Sequence, residues 1–170
     1  MLPMHLLLAL PMTLAQESGP DDALARLKEH YATVERELLA RDIAGLTSAQ
    51  IARRHELLAH FRAYRERGDF TQNHDFPGAR VPYLVDRDGR LCAVANLMHR
   101  SGEDALVQEV ALLNNHVWVS ELAGEPRFRL WLDESGLTFD LRRGGAHPGA
   151  GERWRQRAGQ ALDARASRHG

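Results

Sequence analysis

The residue with the clearest chemical potential is Cys92, the single cysteine of the chain. It lies in the stretch GRLCAVANLMHRSG, just after an Asp-Arg-Asp-Gly cluster at residues 86–89. A catalytic thiol needs a helix N-terminus and a nearby histidine, because both lower its pKa. Cys92 with His116 as base and Asp133 as orienting group is therefore compatible with a cysteine-dependent hydrolase or transferase of the papain or transglutaminase type.

Three features of the sequence argue against this enzyme. The residues that flank Cys92 have helical patterns, Pro126 interrupts the strand pairing that such a site needs, and only 24 residues separate Cys92 from His116. The neighbours of the thiol, from Leu91 to Ala95, are apolar and would raise its pKa rather than lower it. We therefore predict a structural, buried thiol, as is common for free cysteines, and keep the enzyme as the alternative.

Metal binding is the next chemistry to consider. On a helix, Cys92, Asn96 and His99 share one face, and with His74 or Met98 they would offer the sulfur and imidazole ligands that suit copper or haem. Four ligands with a recognisable spacing are absent, however. The sequence therefore predicts neither a metal site nor a cofactor.

The Asp-Arg-Asp-Gly cluster contains a fragment of a calcium loop. Asp86 and Asp88 supply two carboxylates, but a complete loop needs about five oxygen ligands and a distal glutamate, and Glu103 is too far along the chain. We predict a simple turn in which Asp86 caps the following helix and Gly89 has a positive φ angle.

The segments VPYLVDRDGRLCAVANLMHRSG, LLNN and WLDESGLT together resemble an uncharacterised group of exported bacterial proteins with an Asp-x-x-Gly-x-x-Cys-Ala-Val segment. The matching positions are Arg80, Pro82, Asp86, Gly89, Cys92, Asn115, Trp131, Gly136 and Thr138. No activity is established for that group. The resemblance therefore implies export and a helical domain, and it implies no chemistry.

The elements that must position these residues are mostly helices. Pro20 and the acids after it begin a helix over about residues 21–41, and a second helix is capped by Thr47 or Ser48 and closes at Gly68. We expect the two helices to form an antiparallel hairpin.

The rest of the domain reads as a loop followed by shorter helices. Residues 68–80 have turn-forming composition and no period, and residues 81–94 form a short β-hairpin or lead directly into a helix that ends at Arg100, which we favour. Ser101 and Asp104 suggest a capping box for a helix that stops at Asn114-Asn115. Pro126 starts a further short helix, which Gly136 terminates.

The two ends of the chain differ from this domain. An apolar run from Leu6 to Leu14, with Thr13-Leu14-Ala15 at its end, predicts a signal peptide cleaved after Ala15. The run is much shorter than the roughly 20 residues of a membrane span, and no later segment approaches that length. We therefore predict a signal peptide over residues 1–15 and a helical domain over residues 16–141.

Residues 142–170 form an Arg/Gly-rich tail with a short helix around Trp154, reached through the flexible connector GGAHPGAG. This tail contains seven arginines against two acids, whereas the rest of the chain carries 15 basic and 21 acidic side chains. The tail is either a solvated segment that docks on the acidic body or the site of a weak contact with an anionic surface.

Taken together, these patterns predict a mainly α, single small helical domain that is periplasmic or secreted. We expect a non-catalytic binding or envelope-associated module of unknown ligand and partner, with the Cys92-dependent enzyme as the alternative. Nucleic acid is not expected as a partner, because an exported chain meets no DNA and its acids repel phosphate. The polar candidates for the binding site are Asn73, His74, Arg80, Asp86, His99 and Asn115.

Overall fold

The computed structural model describes residues 19–137, together with the isolated positions Gln156 and Gln160. Within residues 19–137 the chain forms one small, mainly helical domain, as predicted. The helices are α1 (Pro20–Leu39), α2 (Ser48–Arg67), α3 (Ala93–Arg100), α4 (Asp104–Asn114), α5 (Val119–Leu122) and α6 (Pro126–Ser135). The predicted signal peptide, Thr138 and the tail apart from those two glutamines lie outside the described residues.

The first two helices form the predicted antiparallel hairpin. Thr47 caps α2: its Oγ1 accepts a hydrogen bond from the Gln50 amide at 3.3 Å, while the Gln50 side chain accepts from the Thr47 amide at 2.9 Å. Gly68 ends the helix with a φ of 70°. The Lys28 ammonium donates to the Glu66 carbonyl at 3.0 Å, which places the start of α1 beside the end of α2.

Helix α2 is the centre of the domain, because it packs against α1, α3 and α6, while α3 also packs against α4. Helices α1, α2, α4 and α6 each have buried apolar residues on the side that faces the shared core and exposed polar residues on the other side, whereas α3 is buried all round from Val94 to Met98. The most deeply buried apolar residues are Leu57, Ala95, Leu97, Met98, Leu106, Val110, Leu122 and Phe128.

A buried arginine joins three of the helices. Arg54 of α2 is 3% exposed, and its guanidinium donates to the carbonyl oxygens of Leu38 at the end of α1 and of Gly136 just after α6. Burial, and to a smaller extent Arg41, lowers the pKa of Arg54. The negative ends of two helix dipoles compensate the buried charge.

One of two local predictions is confirmed and the other is wrong. Of the two alternatives for residues 81–94, the favoured one is confirmed, because α3 ends at Arg100; the hairpin alternative is reduced to one isolated antiparallel bridge between Val85 and Leu91. The capping box of Ser101 with Asp104 is wrong, because Ser101 ends α3, donating its hydroxyl to the Leu97 carbonyl at 2.9 Å and accepting from the Trp131 indole at 2.7 Å. The buried indole N–H needs an acceptor, and Ser101 provides it.

None of the helices in the described part of the chain is long and apolar enough to cross a bilayer.

Candidate functional site in the long loop

The chain between α2 and α3, residues 68–92, is called the long loop here. It contains the single Val85–Leu91 bridge and otherwise no helix or strand. Loops of more than about 12–15 residues without secondary structure are uncommon in small domains and are usually functional or disordered. Polar side chains hold this loop in one conformation through hydrogen bonds to its backbone.

Asp86 is the main folding residue of the long loop. Its side chain is 0% exposed, and its carboxylate accepts hydrogen bonds from the backbone amides of Gln72 (3.0 Å), Asp88 (2.9 Å) and Arg90 (2.9 Å). Gly89 has the predicted positive φ, at 79°. The prediction that Asp86 caps α3 is wrong, because its partners lie inside the loop.

Burial alone would raise the pKa of the Asp86 carboxyl. The three amide hydrogen bonds and the Arg90 guanidinium outweigh that effect, so its pKa lies below the ordinary value. The carboxylate is therefore held in its charged form, and the charge serves to bind the loop together.

Arg90 completes this arrangement by bridging three carboxylates. Its guanidinium lies 2.8 Å from Asp69, 2.8 Å from Asp88 and 3.5 Å from Asp86. Asp69 begins the loop and Arg90 lies near its end, so the pair closes the loop. His74 Nε2 lies 3.6 Å from the Asp88 carboxylate, and this buried nitrogen forms no hydrogen bond within the described residues.

Asn73 folds a tight turn at the tip of the loop. Its Nδ2 donates to the carbonyls of Phe76 (2.7 Å) and Ala79 (2.8 Å), and its Oδ1 accepts from the Phe76 amide (2.9 Å). The turn presents Phe76, which is 44% exposed despite its size. An aromatic side chain is thus displayed on a fixed backbone.

His116, from the segment after α4, packs against this tip. Its ring meets that of Tyr83 edge-on at 4.6 Å and that of Phe76 at 5.4 Å. Its Nδ1 lies 3.0 Å from the Pro82 carbonyl, which can only accept, so Nδ1 carries a proton, and Nε2 forms no hydrogen bond within the described residues. Tyr83 in turn donates its hydroxyl to Asp75 at 2.8 Å.

Two further arginines belong to the long loop. Arg80 and Arg87 are exposed, and neither forms a hydrogen bond or ion pair with the residues that the structure describes. Burial and Asp75 raise the pKa of Tyr83, while Arg87 acts in the opposite direction, which places Arg87 near that hydroxyl. We call the group of Asp75, Phe76, Tyr83, Arg87 and His116 the Phe76 face.

The structure places most of the predicted binding residues in or against the long loop. Asn73, His74, Arg80 and Asp86 belong to it, and the Asn115 side chain holds it by donating to the Val85 carbonyl (2.7 Å) and accepting from the Val85 amide (3.0 Å). His99 is the exception, because it lies at the end of α3 and pairs with Asp104.

Cys92 is the N-cap residue of α3. Its Sγ accepts from the Ala95 amide at 3.5 Å and its backbone amide donates to the Leu84 carbonyl at 2.9 Å. Burial raises the pKa of the thiol, and the hydrogen bonds from the α3 amides only partly oppose that rise. The thiol therefore caps α3, a role that the sequence analysis had assigned to Asp86.

No hydrogen bond joins Cys92, His116 and Asp133, although all three lie in the described part of the chain. His116 bonds to the Pro82 carbonyl, and the exposed Asp133 on α6 uses its main-chain carbonyl to accept from Gln50 at 2.8 Å.

The residues considered as copper or haem ligands also bond to other partners. Asn96 accepts from Arg67 at 3.2 Å and His99 bonds to Asp104. Across residues 19–137, no group of three or more His, Cys, Asp or Glu side chains is placed to hold a metal ion.

Four residues of the Phe76 face were missed by the sequence predictions, namely Asp75, Phe76, Tyr83 and Arg87. One signal was present: the aperiodic stretch TQNHDFPGAR combines an asparagine that can fold a turn with an aromatic residue beside proline and glycine. Nothing in the sequence indicated that His116, from beyond α4, would join them.

No protein-family model matches the chain, and no match is found among curated proteins or solved structures. The resemblance to an exported bacterial group therefore stays a prediction.

Proposed function

We propose that this chain is an exported, non-catalytic helical binding module that recognises its ligand through the Phe76 face. The observation that carries the proposal is the way the long loop is held. Buried Asp86 and the side chain of Asn73 together accept or donate six hydrogen bonds to loop backbone groups, and these bonds fix an exposed aromatic residue at the tip.

A rigid loop on a helical scaffold is well suited to binding. Ordering a flexible loop on association costs free energy, and a loop already fixed by its own hydrogen bonds avoids much of that cost. Aromatic residues and arginine supply a large share of the affinity at binding surfaces, and both types are presented here beside one another.

The surroundings of Cys92 support the absence of catalysis. Its thiol accepts a helix-capping hydrogen bond, its pKa is raised by burial, and no histidine of residues 19–137 is hydrogen-bonded to it. One observation favours the alternative enzyme, namely that the thiol lies at the N-terminus of α3, where the helix dipole stabilises a thiolate. The reactivity of Cys92 separates the two functions.

The proposal of export rests on the sequence of residues 6–15. An association with the cell envelope would use the basic tail, residues 142–170. Seven arginines in residues 142–170 give that segment a positive balance which an anionic surface would attract.

The binding function can be tested without knowing the ligand. A chemically diverse set of small fragments is added to the ¹⁵N-labelled chain, and amide chemical shifts are followed. We expect the responses to concentrate on residues 73–87 and His116, and to disappear in Phe76→Ala. Leu130→Ala is the matched control, since Leu130 is a 58% exposed apolar residue on α6. Responses that are absent, lie elsewhere or survive in Phe76→Ala would refute the proposal.

A further inference from the structure

The end of α6 lies beside an exposed apolar patch that the following residues of the chain can reach. We infer that residues 138–141 pack on this patch, with Phe139 and Leu141 against Leu39 and Ile43, and thereby hold the start of the basic tail on the domain. The inference is independent of the proposed binding surface. It rests on where α6 ends, on which apolar side chains are exposed there, and on the sequence that follows.

Arg54 holds the end of α6 beside the end of α1. Its guanidinium donates to the Gly136 carbonyl at 2.8 Å and also to the Leu38 carbonyl, so one guanidinium spans the distance between the two helix ends. Leu137, the last residue of the continuous described range, is 2% exposed and belongs to the hydrophobic core. The chain therefore continues from a buried position next to the last residues of α1.

Two large apolar side chains are exposed close to this position. Leu39, the last residue of α1, is 54% exposed, and Ile43, in the connection to α2, is 37% exposed. Leu39 directly follows the carbonyl that Arg54 holds. The Arg41 amide donates to that same Leu38 carbonyl at 3.3 Å, so Ile43 lies two residues beyond a turn that closes on the helix end. We call Leu39 and Ile43 the Leu39 patch.

The sequence after Leu137 suits this patch. Phe139 and Leu141 alternate with polar residues, so an extended backbone would place both apolar side chains on one side. An extended chain spans at most about 3.6 Å per residue, which gives Phe139 a reach of roughly 11 Å from Gly136. Both apolar residues also precede the flexible connector GGAHPGAG. They can therefore reach the Leu39 patch from the point where Arg54 holds the chain.

The size of the patch favours this segment over a second copy of the protein. A stable dimer buries about 800 Å² on each partner, which is far more than two side chains expose. A segment that is already joined to the domain has a high effective concentration at a neighbouring surface. Two apolar side chains are enough to hold such a segment, because each loses contact with water on packing.

Nuclear Overhauser effects on the full chain test the contact directly. With ¹³C-labelled leucine and isoleucine methyl groups, we expect cross-peaks from the Phe139 ring protons to the methyls of Leu39 and Ile43, and their loss in Phe139→Ala. The absence of these cross-peaks would overturn the inference. So would contacts of the Phe139 ring with the open cavity of about 450 Å³ that Thr47 and Ala49 help to line at the start of α2.

A sample that mixes methyl-labelled chains with unlabelled chains identifies the occupant. Cross-peaks between the two kinds of chain, growing with protein concentration, would show that a second copy covers the patch and would overturn the inference. Cross-peaks within one chain, independent of concentration, are expected.

Thermal unfolding of full-chain variants measures the contribution of the contact. Phe139→Ala/Leu141→Ala should lower the melting temperature by about 4–8 °C. The matched control is Trp154→Ala/Leu162→Ala, which removes two large apolar residues beyond the connector and should leave the melting temperature unchanged. Adding Leu39→Ala should cost less in the Phe139→Ala/Leu141→Ala background than in the unaltered chain. Equal losses in the two double variants, or an equal cost of Leu39→Ala in both backgrounds, would contradict the contact.

Discussion

At the scale of single residues, the long loop depends on polar side chains that bond to backbone rather than to a ligand. Asp86, Asn73 and Asn115 each bond to several amides or carbonyls, and Cys92 caps a helix. Each of these contacts replaces one that a strand or helix would have supplied. Substitutions at these positions should therefore change the free energy of unfolding more than they change the exposed surface.

We predict that Cys92 behaves as a structural thiol. Because burial raises its pKa above the reference of about 8.5, the native protein should react slowly with a thiol-specific disulfide reagent and faster once denaturant is added. Fast labelling below neutral pH would favour the cysteine-dependent enzyme instead.

Two substitutions at Cys92 distinguish the contribution of its helix-capping hydrogen bond from that of its packing. Cys92→Ser keeps an acceptor for the Ala95 amide, whereas Cys92→Ala removes it, so the alanine variant should lose about 1 kcal/mol of unfolding free energy and the serine variant less. Denaturant unfolding measures both.

A second prediction concerns Asp86 and acid. Its folded-state pKa lies below the unfolded value of about 3.9, so its contribution to stability is present above that pH and is lost as pH falls through the folded pKa. Asp86→Asn should lower the unfolding free energy at neutral pH by on the order of 2–4 kcal/mol and flatten its dependence on pH below about 4. The exposed Asp133→Asn is the control and should change neither quantity.

At the scale of elements, the ends of three helices meet at one point. Gly136 ends α6 with a φ of 62°, its carbonyl accepts from Arg54, and the same guanidinium holds the end of α1. Helix ends buried together need partners for their free carbonyls, and Arg54 supplies them for two helices.

The close packing at Gly136 predicts that two similar glycine substitutions lower the free energy of unfolding by different amounts. Gly136→Ala and Gly89→Ala both place a side chain at a positive φ, which costs about 1–2 kcal/mol. A Cβ at Gly136 would also lie 2.7 Å from the Gln50 carbonyl oxygen, whereas nothing lies within 4 Å at Gly89. Thermal unfolding should show the larger loss for Gly136→Ala, and equal losses would contradict the close approach.

At the scale of the whole molecule, export is the prediction that most constrains function. Expressed from its full sequence in a Gram-negative host, the mature protein should begin at Gln16, as N-terminal sequencing would show. Replacing two leucines of the run 6–14 by aspartate should abolish processing, because the apolar run is the feature that the export machinery binds. An unprocessed chain in the cytoplasm of cells expressing the unaltered sequence would contradict export.

The sequence by itself determined the fold class and most helix boundaries. Thr47, Gly68, Pro126 and Gly136 marked helix ends correctly, because caps and left-handed glycines act on residues three or four positions away. The spacing of three and four between Leu24, Leu27, Tyr31, Val34 and Leu38 likewise marks α1, since amphipathic spacing is a property of one helix alone.

Only the tertiary structure decided what the polar residues do. Arg54 bonds to a carbonyl 82 positions later, Ser101 receives the indole N–H of Trp131, and His116 joins a loop more than 30 residues before it. The local pattern near Asp86 and Ser101 was compatible with helix caps, but the Asp86 carboxylate accepts from three loop amides, one of them 14 positions earlier, and the Ser101 hydroxyl accepts from an indole 30 positions later. A buried polar group must find a partner wherever packing places one, and that choice is made by contacts distant in sequence.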